Sequence, residues 1–298
     1  MSQSCQVSAR FFLPPAALRR YFTTFYLLEW QVDGGGQVVD YIHPEWANLR
    51  FFENGCTPSA RTIGGIELSG AEFTATGPTS QGIRFSIGSG RSWGIGILPL
   101  GWSKFADGPA SELADTVIDG AVHPAFSSFR PLARCLFGSA PDPEGELSRI
   151  ESHFLARLDE PEPDAERILA IHAAMIDPET STVTDLVSKA GTSQRTVERV
   201  CSRAFGFSPK QLLRRQRFMR SLSNFMLDPT LKWVGALDSH YHDQAQFVRD
   251  FHEFMGMTPS EYAALDKPLL GAIMKERARI AGSPVQTMDS PEGSTLSA

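Results

Sequence analysis

Residues 193–209 and 243–259 of this 298-residue chain are two versions of one pattern, offset by 50 positions. A repeat of that kind commits both segments to the same local architecture. Ser193-Gln194 corresponds to Asp243-Gln244, and Arg199 to Arg249. The exits Phe205-Gly206-Phe207-Ser208-Pro209 and Met255-Gly256-Met257-Thr258-Pro259 match in type at every position. Ser193 and Asp243 each offer an oxygen to the free amides that open a helix, while Gly206 and Gly256 can enter the left-handed conformation that closes one. Ser208-Pro209 and Thr258-Pro259 then start another helix, with proline at the first position, where its missing N–H costs nothing. The pattern predicts helices over about 194–205 and 244–255.

A short helix precedes each of these. Thr182-Val183-Thr184-Asp185 has the form of a capping box, Leu186 and Val187 supply apolar contacts, and Gly191 supplies the turn. In the second unit Leu231, Val234 and Leu237 give a buried face before a turn at Ser239–His242. The result is two helix-turn-helix units, joined by a helix running from Pro209 to about Met226.

The net charge of −6 argues against a nucleic-acid binder until it is divided along the chain. Residues 182–267 hold 12 Lys/Arg against 9 Asp/Glu, leaving 16 against 25 elsewhere. Within 189–220 lie nine basic residues and one acid, Glu198. Such a cluster suits phosphate binding, although a solvated helix face has the same composition.

The N-terminal half reads differently. Short runs rich in Val, Ile, Phe, Tyr and Thr predict strands at Tyr21–Trp30, Val38–Ile42, Trp46–Phe52, Arg61–Leu68, Glu72–Thr76, Ile83–Ile87 and Trp93–Leu98. Turns fall at Gly34-Gly35-Gly36, Asn54-Gly55 and Gly77-Pro78, with a bulge at Gly64-Gly65. Regular short strands of this kind imply a β-barrel or sandwich. Helical spacing follows near 111–118, 126–137, 145–158 and 164–176. The expectation is an α+β chain of two domains: a β-rich domain with following helices over 1–160, a linker over 161–180, and an all-α domain over 181–267. The Gly-, Ser- and Pro-rich stretch 282–298 is expected to be a disordered tail.

With Asp243-Gln244-Ala245-Gln246-Phe247-Val248-Arg249-Asp250-Phe251 and Gly256-Met257-Thr258-Pro259-Ser260-Glu261-Tyr262, the C-terminal domain resembles the AraC/XylS family of transcription regulators over about 85 residues. That resemblance implies two recognition helices entering adjacent major grooves of double-stranded DNA. It places Gln194, Arg195, Glu198 and Arg199 in the first unit, and Gln244, Ala245, Gln246 and Arg249 in the second, where family members read bases or touch phosphate. Lys210, Arg214 and Arg215 are expected as phosphate contacts or solvated charges. The family usually carries glycine at the turn position held here by His240, so a strained left-handed residue is expected there. The resemblance of the N-terminal half to the family's cupin-like sensor domains is weaker, and rests on Trp93–Gly101 followed by Pro109–Leu113. Two alternatives stay open for it: a domain that binds a small-molecule effector, or a ligand-independent DNA-binding module regulated by abundance or a protein partner. Helices at 126–158 are the candidate surface for a homodimer, and RNA polymerase is a candidate partner. Trp30, Tyr41, Trp46 and Trp93 are candidates for lining an effector pocket or for plain core.

Other functions find little support. His240-x-His242 beside Asp238 and Asp243 lacks the spacing of a zinc site, and Asp243 already caps a helix. Gly88-x-Gly90-x-x-x-Gly94 has the wrong spacing for a dinucleotide loop. No HExxH or P-loop pattern occurs, and neither an enzyme nor a cofactor is expected. The first residues lack the form of a signal peptide, no apolar run suits a membrane span, and Cys5, Cys56, Cys135 and Cys201 show no disulfide spacing. A cytoplasmic location is expected.

Overall fold

The computed structural model describes residues 5–53, 55–162, 164–228 and 233–291. Its N-terminal domain is built from β1 (Cys5–Phe12), β2 (Phe22–Val32), β3 (Val38–Ile42), β4 (Ala47–Phe52), β5 (Ser59–Thr62), β6 (Glu67–Ser69), β7 (Phe73–Thr76), β8 (Ile83–Ile87), β9 (Gly90–Ile97) and β10 (Val117–Asp119). These form two antiparallel sheets, ordered β1-β2-β9-β4-β7-β10 and β3-β8-β5-β6. The central strands β2 and β9 of the larger sheet are buried along most of their length, including polar residues such as Thr23, Thr24, Arg91 and Ser92. Gly94 on β9 lies directly against the ring of Tyr26, and a Cβ there would sit 1.8 Å from the ring.

The helices are α1 (Pro99–Phe105), α2 (Arg130–Cys135), α3 (Pro143–Leu155), α4 (Ala165–Ile176), α5 (Val183–Lys189), α6 (Gln194–Val200), α7 (Pro209–Leu227), α8 (Trp233–Ala236), α9 (Gln244–Met255), α10 (Pro259–Ala264) and α11 (Pro268–Ala281). One apolar core runs from Phe25, Trp93 and Ile95 in the large sheet through Phe154 and Ile171 to Val197 and Leu212 in the first helix-turn-helix unit. The second unit has its own core around Phe218, Phe247, Phe251 and Tyr262. A third core packs Trp30, Val32 and Ile87 against Leu269 of α11.

Several elements differ from the sequence expectation. The stretch expected as one strand over 61–68 is the hairpin β5–β6, turning at Gly65 with φ of +88°. The expected helix at 111–118 is a short 3-10 turn followed by β10, because Val117 and Ile118 complete the edge of the large sheet against β7. β1 was not anticipated. Its residues alternate in exposure, as the edge strand of a sheet that is covered on one face should.

Over 282–291 the expectation of a disordered tail fails. Residues 283–290 fold back into the molecule, with Val285, Gln286, Thr287 and Asp289 buried. Gln216 donates to the Thr287 carbonyl (2.7 Å), Gln286 donates to Glu45 (2.7 Å), and Arg277 pairs with Asp289. Polar composition misled there because these side chains find partners inside. Residues 292–298 lie outside the described residues. Among the described residues no helix is long and apolar enough to cross a membrane.

Candidate nucleic-acid interface

Both expected recognition helices are present, started and stopped by the residues the repeat singles out. The Ser193 hydroxyl accepts from the Thr196 amide (3.2 Å), and the Asp243 carboxylate accepts from the Gln246 amide (2.6 Å). Gly206 (φ +85°) and Gly256 (φ +69°) close the helices in the left-handed region. The first helix widens at its end into a π-helical turn over Cys201–Phe205. Thr182 and Asp185 form a reciprocal capping box ahead of α5, and Thr258 and Glu261 form another ahead of α10. Leu231 and the Val234 side chain lie outside the described residues.

Burial separates two faces on each helix. Val197, Val200, Cys201 and Ala204 are buried, while Gln194, Arg195, Glu198 and Arg199 are exposed. On α9, Phe247, Phe251 and Phe254 are buried, Gln244, Ala245 and Arg249 are exposed, and Gln246 is half-buried. Gln194 donates to Glu198 (2.9 Å), which presets the outward face of the first helix. Arg199 reaches back to Asp164 (2.8 and 3.3 Å), a left-handed residue (φ 60°) ahead of α4 that also binds Arg167. Hydrogen bonds from Arg199 and Arg167 hold the Asp164 carboxyl down at about 2.

The basic cluster is largely neutralised within the molecule. Lys189 pairs with Asp177, Arg214 with Asp250 and Glu253, Arg217 with Asp250, and Arg220 with Asp238. Among the described residues Arg195, Arg203, Lys210 and Arg249 have no carboxylate partner. Arg215 departs from expectation: it is fully buried, and so is neither a phosphate contact nor a solvated charge. Its guanidinium lies 4.1 Å from the centre of the Trp46 ring and donates to the carbonyls of Glu45 (3.2 Å) and Thr79 (3.0 Å). Lys210, Arg214, Arg217, Arg220, His240 and Gln246 line a cleft of about 530 Å³ between the two units.

His240 is not left-handed. Among the described residues the non-glycine residues with positive φ are Asp115 and Asp164. Asp238 relaxes the second turn instead, accepting from the His240 amide (2.9 Å) and lying 3.0 Å from its ring nitrogen.

Both units are seated on the N-terminal domain. Gly206 packs beside Pro78, Gly256 beside Ile63, and the Gly82 amide donates to the Phe254 carbonyl (2.6 Å). His43 Nε2 lies 2.6 Å from the Tyr262 hydroxyl, and burial lowers the His43 ring to about 3. Asp40, buried at the sandwich edge, accepts from the Leu269 and Leu270 amides (2.9 Å each) and so caps α11.

Between the sandwich and α11 lies a cavity of about 160 Å³. Trp30 and Tyr41 line it, whereas Trp46 and Trp93 are core residues. His43, Glu45, Arg50 and Gln286 also line it and were not anticipated. The signal available in sequence was the polar run His43-Pro44-Glu45 between two apolar strands.

The family model for a helix-turn-helix domain matches residues 186–264. Among solved structures, ToxT from Vibrio cholerae aligns at 12% identity and a TM-score of 0.44, covering 87% of this chain and 98% of that one. A ToxT structure bound to (E)-4-(8-methylnaphthalen-1-yl)but-3-enoic acid aligns at 12% identity and 0.42, with 87% and 98% covered. The AraC-like transcriptional activator CuxR aligns at 12% and 0.28, with 74% and 96% covered. No curated protein matches the sequence.

Proposed function

We propose that this chain, whose residues 186–264 match a helix-turn-helix domain, is a DNA-binding transcription regulator of the AraC type that reads its operator with two helices at once, 194–205 and 244–255. The observation that carries the reading is the exposed polar face on each of two identically capped helices, both docked on one support. Arg195 and Arg249, exposed and without carboxylate partners, are the first candidates for reading guanine, and Gln244 and Gln246 for reading adenine. Gln194, Glu198 and Ala245 complete the two faces by position and exposure. Arg199 joins them once it exchanges Asp164 for DNA, and such an exposed ion pair costs little to break. Lys210 in the cleft between the units suits a phosphate group lying between the two grooves, and Arg214 joins it only by exchanging Asp250 and Glu253 for phosphate.

Control by a small-molecule effector is the second part of the proposal. The cavity supports it over a ligand-independent module, because α11 and residues 284–286, which follow the helix-turn-helix domain, form part of its wall. A ligand there touches both parts of the chain and can shift the population competent for DNA. The test is selection of genomic fragments by the purified protein at physiological salt against competitor DNA. Sequence-selective enrichment supports the reading, and binding fully lost to competitor opposes it.

A further inference from the structure

The cavity between the sandwich and α11 has a chemical character of its own. Tyr26, Trp30, Phe52 and Ile87 from the sandwich and Leu270 and Ile273 from α11 give it mostly apolar walls. At about 160 Å³ it matches in size the ~150 Å³ apolar cavities that take up benzene. The charged groups in its wall are already matched. Arg50 is bound to Glu45 (2.7 Å), and Arg277 to Asp289 and the Ser283 carbonyl. His43 is uncharged at neutral pH, since burial holds its ring far below the ordinary value. An entering carboxylate therefore meets no uncommitted cation, and its lost hydration goes uncompensated.

Among the described residues, two fully buried polar atoms on residues of the wall have no hydrogen-bond partner: Gln286 Oε1 and His43 Nδ1. The Gln286 amide donates to Glu45 Oε2, which leaves its buried Oε1 as an unpaired acceptor. We propose that this cavity takes a small, uncharged, largely apolar molecule of about one six-membered ring carrying one hydrogen-bond donor, which Gln286 accepts, and that it rejects carboxylates. The inference rests on the effector reading above and names its ligand class.

Three matched probes test it on the full chain: toluene, p-cresol and p-toluate, read by calorimetry and by the shift in melting temperature. The expected result is saturable binding of both neutral probes, p-cresol about five- to tenfold tighter than toluene for one added hydrogen bond, and no binding of p-toluate. Gln286→Leu should bring p-cresol down to the affinity of toluene. Ile273→Trp, which fills the cavity, should abolish both; if that variant does not fold, the Gln286→Leu comparison still decides. Binding of p-toluate as tight as p-cresol, or binding of none of the three, overturns the ligand class. Selective DNA binding by a protein that takes none of the probes leaves the regulator reading intact, whereas p-cresol binding without selective DNA binding overturns that reading alone.

Discussion

The guanidinium of Arg215 lies 4.1 Å from the centre of the Trp46 ring, so a cation from the helix joining the two helix-turn-helix units is buried in the wall of the β-domain. Burial pushes the group down to about 9, and it stays charged at neutral pH. The cation–π contact and two carbonyl acceptors hold it there.

Arg215→Ala should therefore lower stability by about 3 kcal/mol, through the cavity and the two orphaned carbonyls it leaves. Arg215→Met fills the space without the charge and should recover at least half of that loss. Urea unfolding followed by Trp fluorescence measures both; equal loss in the two variants would assign the effect to charge rather than packing.

Stability should fall as the solution is acidified from pH 6.5 toward 4.5. His43 and His172 are held by burial at about 3, so in this range the unfolded chain binds protons that the folded chain refuses. Each ring then subtracts up to about 1.4 kcal/mol per pH unit, full stability being present above the unfolded value near 6.5. Asp289, raised by burial to about 6, works in the opposite sense: its folded form takes up a proton before the unfolded one. Burial also lowers the His153 ring, which adds to the loss, and raises the Asp40 and Glu151 carboxyls, which oppose it; the full slope of His43 and His172 leaves a net loss. Melting temperature against pH should slope downward toward acid, with a shallower slope in His172→Gln; a flat profile in the native chain would contradict the burial of both rings.

DNA binding should separate Arg195 from Arg199. Arg195→Ala should weaken operator binding by about 1–3 kcal/mol while changing non-specific binding far less. Asp164→Asn releases Arg199 from its partner and should tighten binding about two- to fivefold, the range of an exposed ion pair. Fluorescence anisotropy at one fixed salt concentration measures both, and weaker binding by Asp164→Asn would show that the pair positions Arg199 rather than withholding it.

The junction between α11 and the sandwich has a test of its own. Asp40→Ala removes the carboxylate that caps α11 and should cost about 1–2 kcal/mol, with earlier proteolytic cleavage after Lys267. Asp40→Asn keeps one acceptor oxygen and should lose less. Equal cleavage rates in native chain and Asp40→Ala would deny the cap a role in docking the helix.

The parts legible in sequence are those set by neighbours in the chain. Ser193, Asp243, Gly206 and Gly256 act through amides within a few residues, so their roles follow from order alone. The buried faces of the recognition helices were legible for the same reason, since Val197, Val200, Cys201 and Ala204 repeat at helical spacing. What escaped depends on residues far apart. Arg215 reads as one more surface cation until Trp46 and Thr79 come beside it, and Gln286 and Asp289 look like tail residues until Glu45 and Arg277 meet them. The expectation of strain at His240 came from the glycine that the resembled family usually carries there, whereas Asp238 gives this turn another route.

Hydroxyl-radical footprinting on the best fragment selected at physiological salt tests the central claim most directly. Two protected segments about one helical turn (~34 Å) apart on one face of the duplex are predicted, the first fading in Arg195→Ala and the second in Arg249→Ala. A single protected segment, or protection that both variants leave unchanged, would contradict reading by the two helices together.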